Sequence, residues 1–149
     1  MLGGGPVEIA LSVYAWALQV GAPGGRIGSN FGQAHRDKSY AAAHAPDGAV
    51  QMVTTWVPFV PVEEGSGCMY VVPAERDPLF AATEDPRHLR VPEEARKLGE
   101  PVPCGAGDVV VWRSSLVHWG SACTAPRAAP PRKSMSRRAG KGRPSAAAS

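Results

Sequence analysis

The chain has 149 residues, 17 of them glycine and 15 proline, which suits one domain with a single, mainly β core because both residue types interrupt helices. Its net charge of +3 is uneven: residues 126–149 carry seven basic side chains and no acidic one, leaving residues 1–125 with nine basic against thirteen acidic, a net of −4. An acidic body argues against nucleic-acid binding outside the tail, and the opening apolar run, too short for a membrane span and lacking a basic leader, argues against a membrane segment or signal peptide.

In chain order, the first predicted element is VEIALSVYAWALQV from Val7, a buried strand that stops at the turn-forming GAPGG. GQAHRDKSY is read as a second strand. AVQMVTTWVPFV, β-branched and aromatic, is read as a central strand, with Pro58 and Pro61 marking its exit. EEGSG turns into the strand CMYVVP. Residues 74–100 are charged and contain prolines, and form a long excursion with one short helix at PEEARKLG; such excursions often cover sites. The Gly105-x-Gly107-Asp108 turn, where Asp108 serves the turn rather than a metal, feeds VVVW, and LVHWG follows as the next strand. PRKSMS makes a last strand before RRAGKGRPSAAAS, a basic, low-complexity and disordered tail. About six short strands with turns between them predict a closed or double-sheet architecture, a jelly roll being the natural form because it limits exposed edges. Cys68, Cys104 and Cys123, widely spaced and odd in number, read as reduced thiols of an intracellular, cytoplasmic protein.

His35 and Asp37 stand two apart, and on a strand such positions project from one face, where a nitrogen and a carboxylate oxygen can meet one ion. A third ligand must come from His44, His88 or His118. His44 lies in the turn-rich AAAHAPDG and His88 in the charged excursion, whereas His118 sits in an apolar strand, either as a ligand or as a hydrogen-bonded core residue. His35-x-Asp37 with His118 about eighty residues later is the 2-His-1-carboxylate set used for non-haem Fe(II), which leaves positions open for a co-substrate and dioxygen. Trp56, Trp112 and Trp119 fit core positions better than a pocket wall.

Through HRDKSY, TTWVPFVPVEEGSGCMYVVP, GDVVVWRSSLVHWGS and PRKSMS, in that order, the chain resembles the phytanoyl-CoA dioxygenase family of Fe(II)- and 2-oxoglutarate-dependent oxygenases, from about residue 13 to residue 136. The resemblance implies a double-stranded β-helix of the cupin-like kind. It also implies iron held by His35, Asp37 and His118 as the catalytic metal ligands, and a late arginine that receives the distal carboxylate of 2-oxoglutarate. Arg132 matches that arginine best: Ser134, two residues on, shares its strand face, and a guanidinium offers two parallel donors to one carboxylate, with Arg127 the competitor. The activity implied is hydroxylation of a small-molecule or acyl substrate by dioxygen, with release of succinate and CO2, in a domain of residues 1–136 followed by a tail of residues 137–149. The chain departs from the family where AERDP follows VVP in place of a Gly-Ser-His type of ending. Little precedes the first core strand, and the last strand turns to RRAGKGRP, so the barrel is expected to be incomplete at both ends. The rival expectation is a non-catalytic, cupin-like metal- or ligand-binding module, or an inactive fragment of such an oxygenase.

Overall fold

The computed structural model describes residues 6–9, 13–15 and 32–123. Among the described residues five strands form, all paired antiparallel: β1 (Val53–Trp56), β2 (Met69–Val71), β3 (Glu100–Val102), β4 (Val110–Arg113) and β5 (His118–Gly120). Helical structure among the described residues is one turn of α-helix, α1 (Tyr40–Ala43), and two 3-10 segments, Ala74–Arg76 and Glu93–Leu98. The fold is therefore mainly β, as the composition predicts.

β1 and β4 form a two-stranded ribbon in which Thr54 lies opposite Trp112 and Trp56 opposite Val110. Their alternation is clean: Thr55, Val111 and Arg113 face outward while Trp112 is buried. The second sheet has the order β3-β2-β5, and Pro101 is tolerated in β3 because an edge strand needs no donor on its outer side. His35 adds to this sheet on the far side of β5. Its N–H donates to the His118 carbonyl at 3.0 Å, and the His118 N–H donates back at 2.9 Å. β5 is thus held from both sides.

Successive side chains alternate between faces, so Val117 and Trp119 oppose His118, and Ala34 and Arg36 oppose His35 and Asp37. The face bearing Val117 and Trp119 carries the core, in which they are buried with Val72 and backed by Ala34, Tyr70 and Val91. Trp119 stacks on Tyr70 with ring centroids 5.3 Å apart, and the Arg96 guanidinium lies 5.2 Å from its centroid. Gly99 is required where it stands, because a Cβ there would strike the Trp119 ring.

Several expectations are revised. Of the first predicted strand, residues 10–12 and 16–20 lie outside the described residues; in the described part Val7, Ile9, Val13 and Tyr14 are exposed and not in a strand. GQAHRDKSY is reduced to the single bridge at His35, because Ser39 ends it by capping α1, its Oγ accepting from the Ala42 N–H at 3.2 Å. Among the described residues β1 pairs with β4 alone. The helix at PEEARKLG is 3-10 in form, and β3 was not anticipated. The strand expected at PRKSMS, the tail, and Arg127, Arg132 and Ser134 lie outside the described residues.

Candidate metal centre

The antiparallel bridge between His35 and His118 places their rings side by side, centroids 4.4 Å apart and tilted by 52°. Asp37, two residues on from His35, returns to the same face. His35 Nε2 lies 3.6 Å from Asp37 Oδ1, and His118 Nε2 lies 3.6 Å from Asp37 Oδ2. One ligand atom from each residue lies within 4.8 Å of the others. His118 is buried, whereas the His35 and Asp37 side chains keep 26% and 33% exposure, so the cluster is walled on one side and open on the other.

Both rings are turned the right way for ligation. His35 Nδ1 lies 2.7 Å from the Gln33 carbonyl oxygen, and His118 Nδ1 lies 3.0 Å from that of Leu116. A carbonyl only accepts, so each Nδ1 carries the proton and each Nε2 keeps a lone pair aimed at the cluster. On Asp37, Oδ2 accepts from the Thr54 hydroxyl at 2.6 Å. With that proton committed, Ser114 Oγ, 3.0 Å from Thr54 Oγ1, is the donor to it. The Lys38 N–H donates to the Ser114 carbonyl at 3.0 Å, which ties the backbone after Asp37 to the end of β4.

Two imidazole lone pairs and a carboxylate therefore converge with no donor between them, an arrangement that repels itself unless a proton or a cation enters. His35 takes the proton more readily: chiefly the Asp37 carboxylate, opposed by burial, lifts its pKa above the ordinary 6.5. Burial pushes His118 below 6.5 despite the nearby carboxylate. For Asp37, burial acts upward but is outweighed by His35, His118 and Thr54, which hold the carboxyl below its ordinary 3.8. A divalent ion suits the same position. Separations of 3.6 Å lie within the about 4.2 Å that two metal–ligand bonds of about 2.1 Å span, and two imidazoles with one carboxylate suit Fe(II).

Of the other histidines, His88 is fully buried with both nitrogens engaged, Nδ1 donating to the Leu79 carbonyl at 2.7 Å and Nε2 accepting from the Tyr40 N–H at 3.0 Å. His44 stacks on Tyr40 at 4.0 Å, away from the cluster. Asp108 accepts from the Gly105 N–H at 2.7 Å, the turn role its position suggests. Trp119 and Trp112 are both buried in the core, as expected, and Trp112 also packs against the His118 ring at 4.9 Å.

Arg36, between His35 and Asp37 in the HRD triplet, has a role that residue type alone does not announce. It points away from the cluster, donating from Nε to the His88 carbonyl at 2.7 Å and from Nη1 to that of Ser115 at 2.8 Å. Nη1 also lies 2.7 Å from Asp77 Oδ2, a buried ion contact without an aligned hydrogen bond. Strand alternation was the missed signal, because a same-face His35 and Asp37 force Arg36 into the core, where a charge must be paired.

These features define a β-rich protein bearing a 2-His-1-carboxylate cluster that can hold a divalent metal. The phytanoyl-CoA dioxygenase (PhyH) family model matches residues 12–130, and the chain belongs to that family of Fe(II)- and 2-oxoglutarate-dependent oxygenases. The matched region holds all three cluster residues and Arg127, and ends before Arg132. No curated protein and no solved structure matches the chain. Among the described residues, no helix is long and apolar enough to cross a membrane.

Proposed function

We propose that this protein is an Fe(II)- and 2-oxoglutarate-dependent dioxygenase that hydroxylates a small-molecule or acyl substrate, with His35, Asp37 and His118 as its metal ligands. The observation that carries the reading is the convergence of two Nε2 lone pairs, each fixed by its own Nδ1–H, on an Asp37 carboxylate held by Thr54. When bound, iron supplies activation of dioxygen coupled to oxidative decarboxylation of the keto acid to succinate and CO2. The chain supplies placement: the His35–His118 bridge sets the spacing of two ligands, Thr54 orients the third, and Trp112 excludes water from one side.

Residues 1–136 make up the oxygenase domain, a double-stranded β-helix, and residues 137–149 take no part in it. Arg132 and Ser134 receive the distal carboxylate of 2-oxoglutarate, and the protein works in the cytoplasm. Anaerobic addition of Fe(II) and 2-oxoglutarate should give a metal-to-ligand charge-transfer band, and aerobic turnover should release succinate. His118→Ala should lose both, and truncation after Ser136 neither. Arg132→Ala should lose keto-acid binding while keeping metal affinity; if it does not and Arg127→Ala does, the role passes to Arg127. Tight metal binding with no succinate under any condition would instead identify a non-catalytic metal-binding module.

A further inference from the structure

Trp112 is only 7% exposed, yet its indole N–H has no hydrogen-bond partner among the described residues. An indole nitrogen donates and cannot accept, and buried donors in folded proteins are almost always paired. The register of the β1–β4 ribbon says on which face this side chain stands. Trp112 is directly opposite Thr54, so the two side chains share a face, and Thr54 reaches Asp37 from that face. Ser114, two residues beyond Trp112, also reaches Thr54 there. The indole ring packs 4.9 Å from the His118 ring, tilted by 54°. The orphan donor therefore belongs to a side chain in the wall of the metal cluster.

The protein groups of the cluster do not answer it. His118 Nδ1 is itself a donor, its Nε2 faces Asp37, and Asp37 Oδ2 already accepts from Thr54. The acceptor that suits this position is one that arrives with a ligand. We propose that the Trp112 indole N–H donates to a carboxylate oxygen of 2-oxoglutarate bound at the cluster, making Trp112 a co-substrate-binding residue. The inference rests on the oxygenase reading above. A keto-acid dianion carries acceptor oxygens and no donors, the complement of a group that only donates.

Trp112→Phe keeps a ring against His118 and removes the N–H. In anaerobic titrations of Fe(II)-loaded protein followed by the charge-transfer band, this variant should bind 2-oxoglutarate about ten-fold more weakly, with Mn(II) affinity unchanged. A second measurement needs no folded variant at position 112. Of the four tryptophan indole N–H signals in the proton NMR spectrum of the wild-type, Zn(II)-loaded protein, one should move downfield and exchange more slowly on adding 2-oxoglutarate. Exclusion with Trp16→Phe, Trp56→Phe and Trp119→Phe identifies it as Trp112. Unchanged keto-acid affinity in a folded Trp112→Phe overturns the inference and leaves the oxygenase reading standing. So does a Trp112 signal that ignores a keto acid which the charge-transfer band reports as bound. A wild-type protein that takes up Fe(II) but no keto acid overturns the oxygenase reading, and the inference with it.

Discussion

At His35 and His118 two imidazoles 4.4 Å apart are shifted in opposite directions, and the difference is measurable as a stability profile. His35, raised in the folded state, contributes stability that is fully present below pH 6.5 and is lost as pH climbs through its raised value. His118 is lowered, so between its lowered value and 6.5 the unfolded chain binds the extra proton, and stability rises with pH across that interval. Asp37, depressed below 3.8, adds a loss only in acid, as pH falls through its folded value. Urea unfolding in chelator should therefore show maximal stability near pH 6.5, and His35→Gln should flatten the alkaline limb; a profile that rises steadily through neutrality would contradict this. Metal affinity has its own pH dependence, falling as protons compete for His35 below its raised pKa. Thr54→Val keeps the shape of the side chain and deletes the donor to Asp37, so it should weaken Mn(II) binding about ten-fold with little change in folding. His88→Ala makes the control, losing stability because it strands the Tyr40 N–H and the Leu79 carbonyl, yet leaving Mn(II) affinity as it was.

The element that presents His35 and Asp37 is a short extended segment pinned from behind by Arg36. With side-chain exposures of 1% for Arg36 and 8% for Asp77, the pair is buried, and removing one partner leaves the other charge uncompensated. Arg36→Met should cost about 3–5 kcal/mol in unfolding free energy, and adding Asp77→Leu should recover much of it. A single variant as stable as the parent would show that the pin holds nothing. Much at this scale was legible beforehand: β1, β2, β4 and β5 announce themselves through β-branched and aromatic runs closed by glycine or proline. β3 did not, because Glu-Pro-Val offers neither alternation nor length, and only its partner β2 makes it a strand. The His35–Asp37–His118 cluster was legible for a different reason, since same-face spacing in HRD is local while the choice of His118 over His44 and His88 followed from its apolar strand. Thr54 and Ser114 carried no such mark, because a hydroxyl in a strand looks the same whether or not it meets a carboxylate.

Across the whole molecule, the cluster joins residues 35–37 to residue 118, whose direct backbone link is one bridge of two hydrogen bonds. An ion bound at all three side chains would add a second link at the same place. Ligation and folding should then be coupled: a divalent ion at about 100 times its Kd should raise stability by about 2.7 kcal/mol, and chelator should remove the gain. Scanning calorimetry with Mn(II) checks this, the control being Asp37→Ala, whose melting temperature should not respond to the ion. The family was readable at this scale because its motifs fall in one order along the chain, and two of them, HRDKSY and GDVVVWRSSLVHWGS, hold the three cluster residues that the His35–His118 bridge brings together.

The carbonyls that set the two imidazole tautomers, on Gln33 and Leu116, each lie two residues before the histidine they orient. Every amino acid carries that acceptor, so no exchange of side chain at either position can delete it. Mutational drift at Gln33 and Leu116 is thereby decoupled from proton placement on the histidines. Inheritance of ligand orientation depends on backbone register alone, and an inserted or deleted residue beside either histidine would do what no point substitution at its acceptor can.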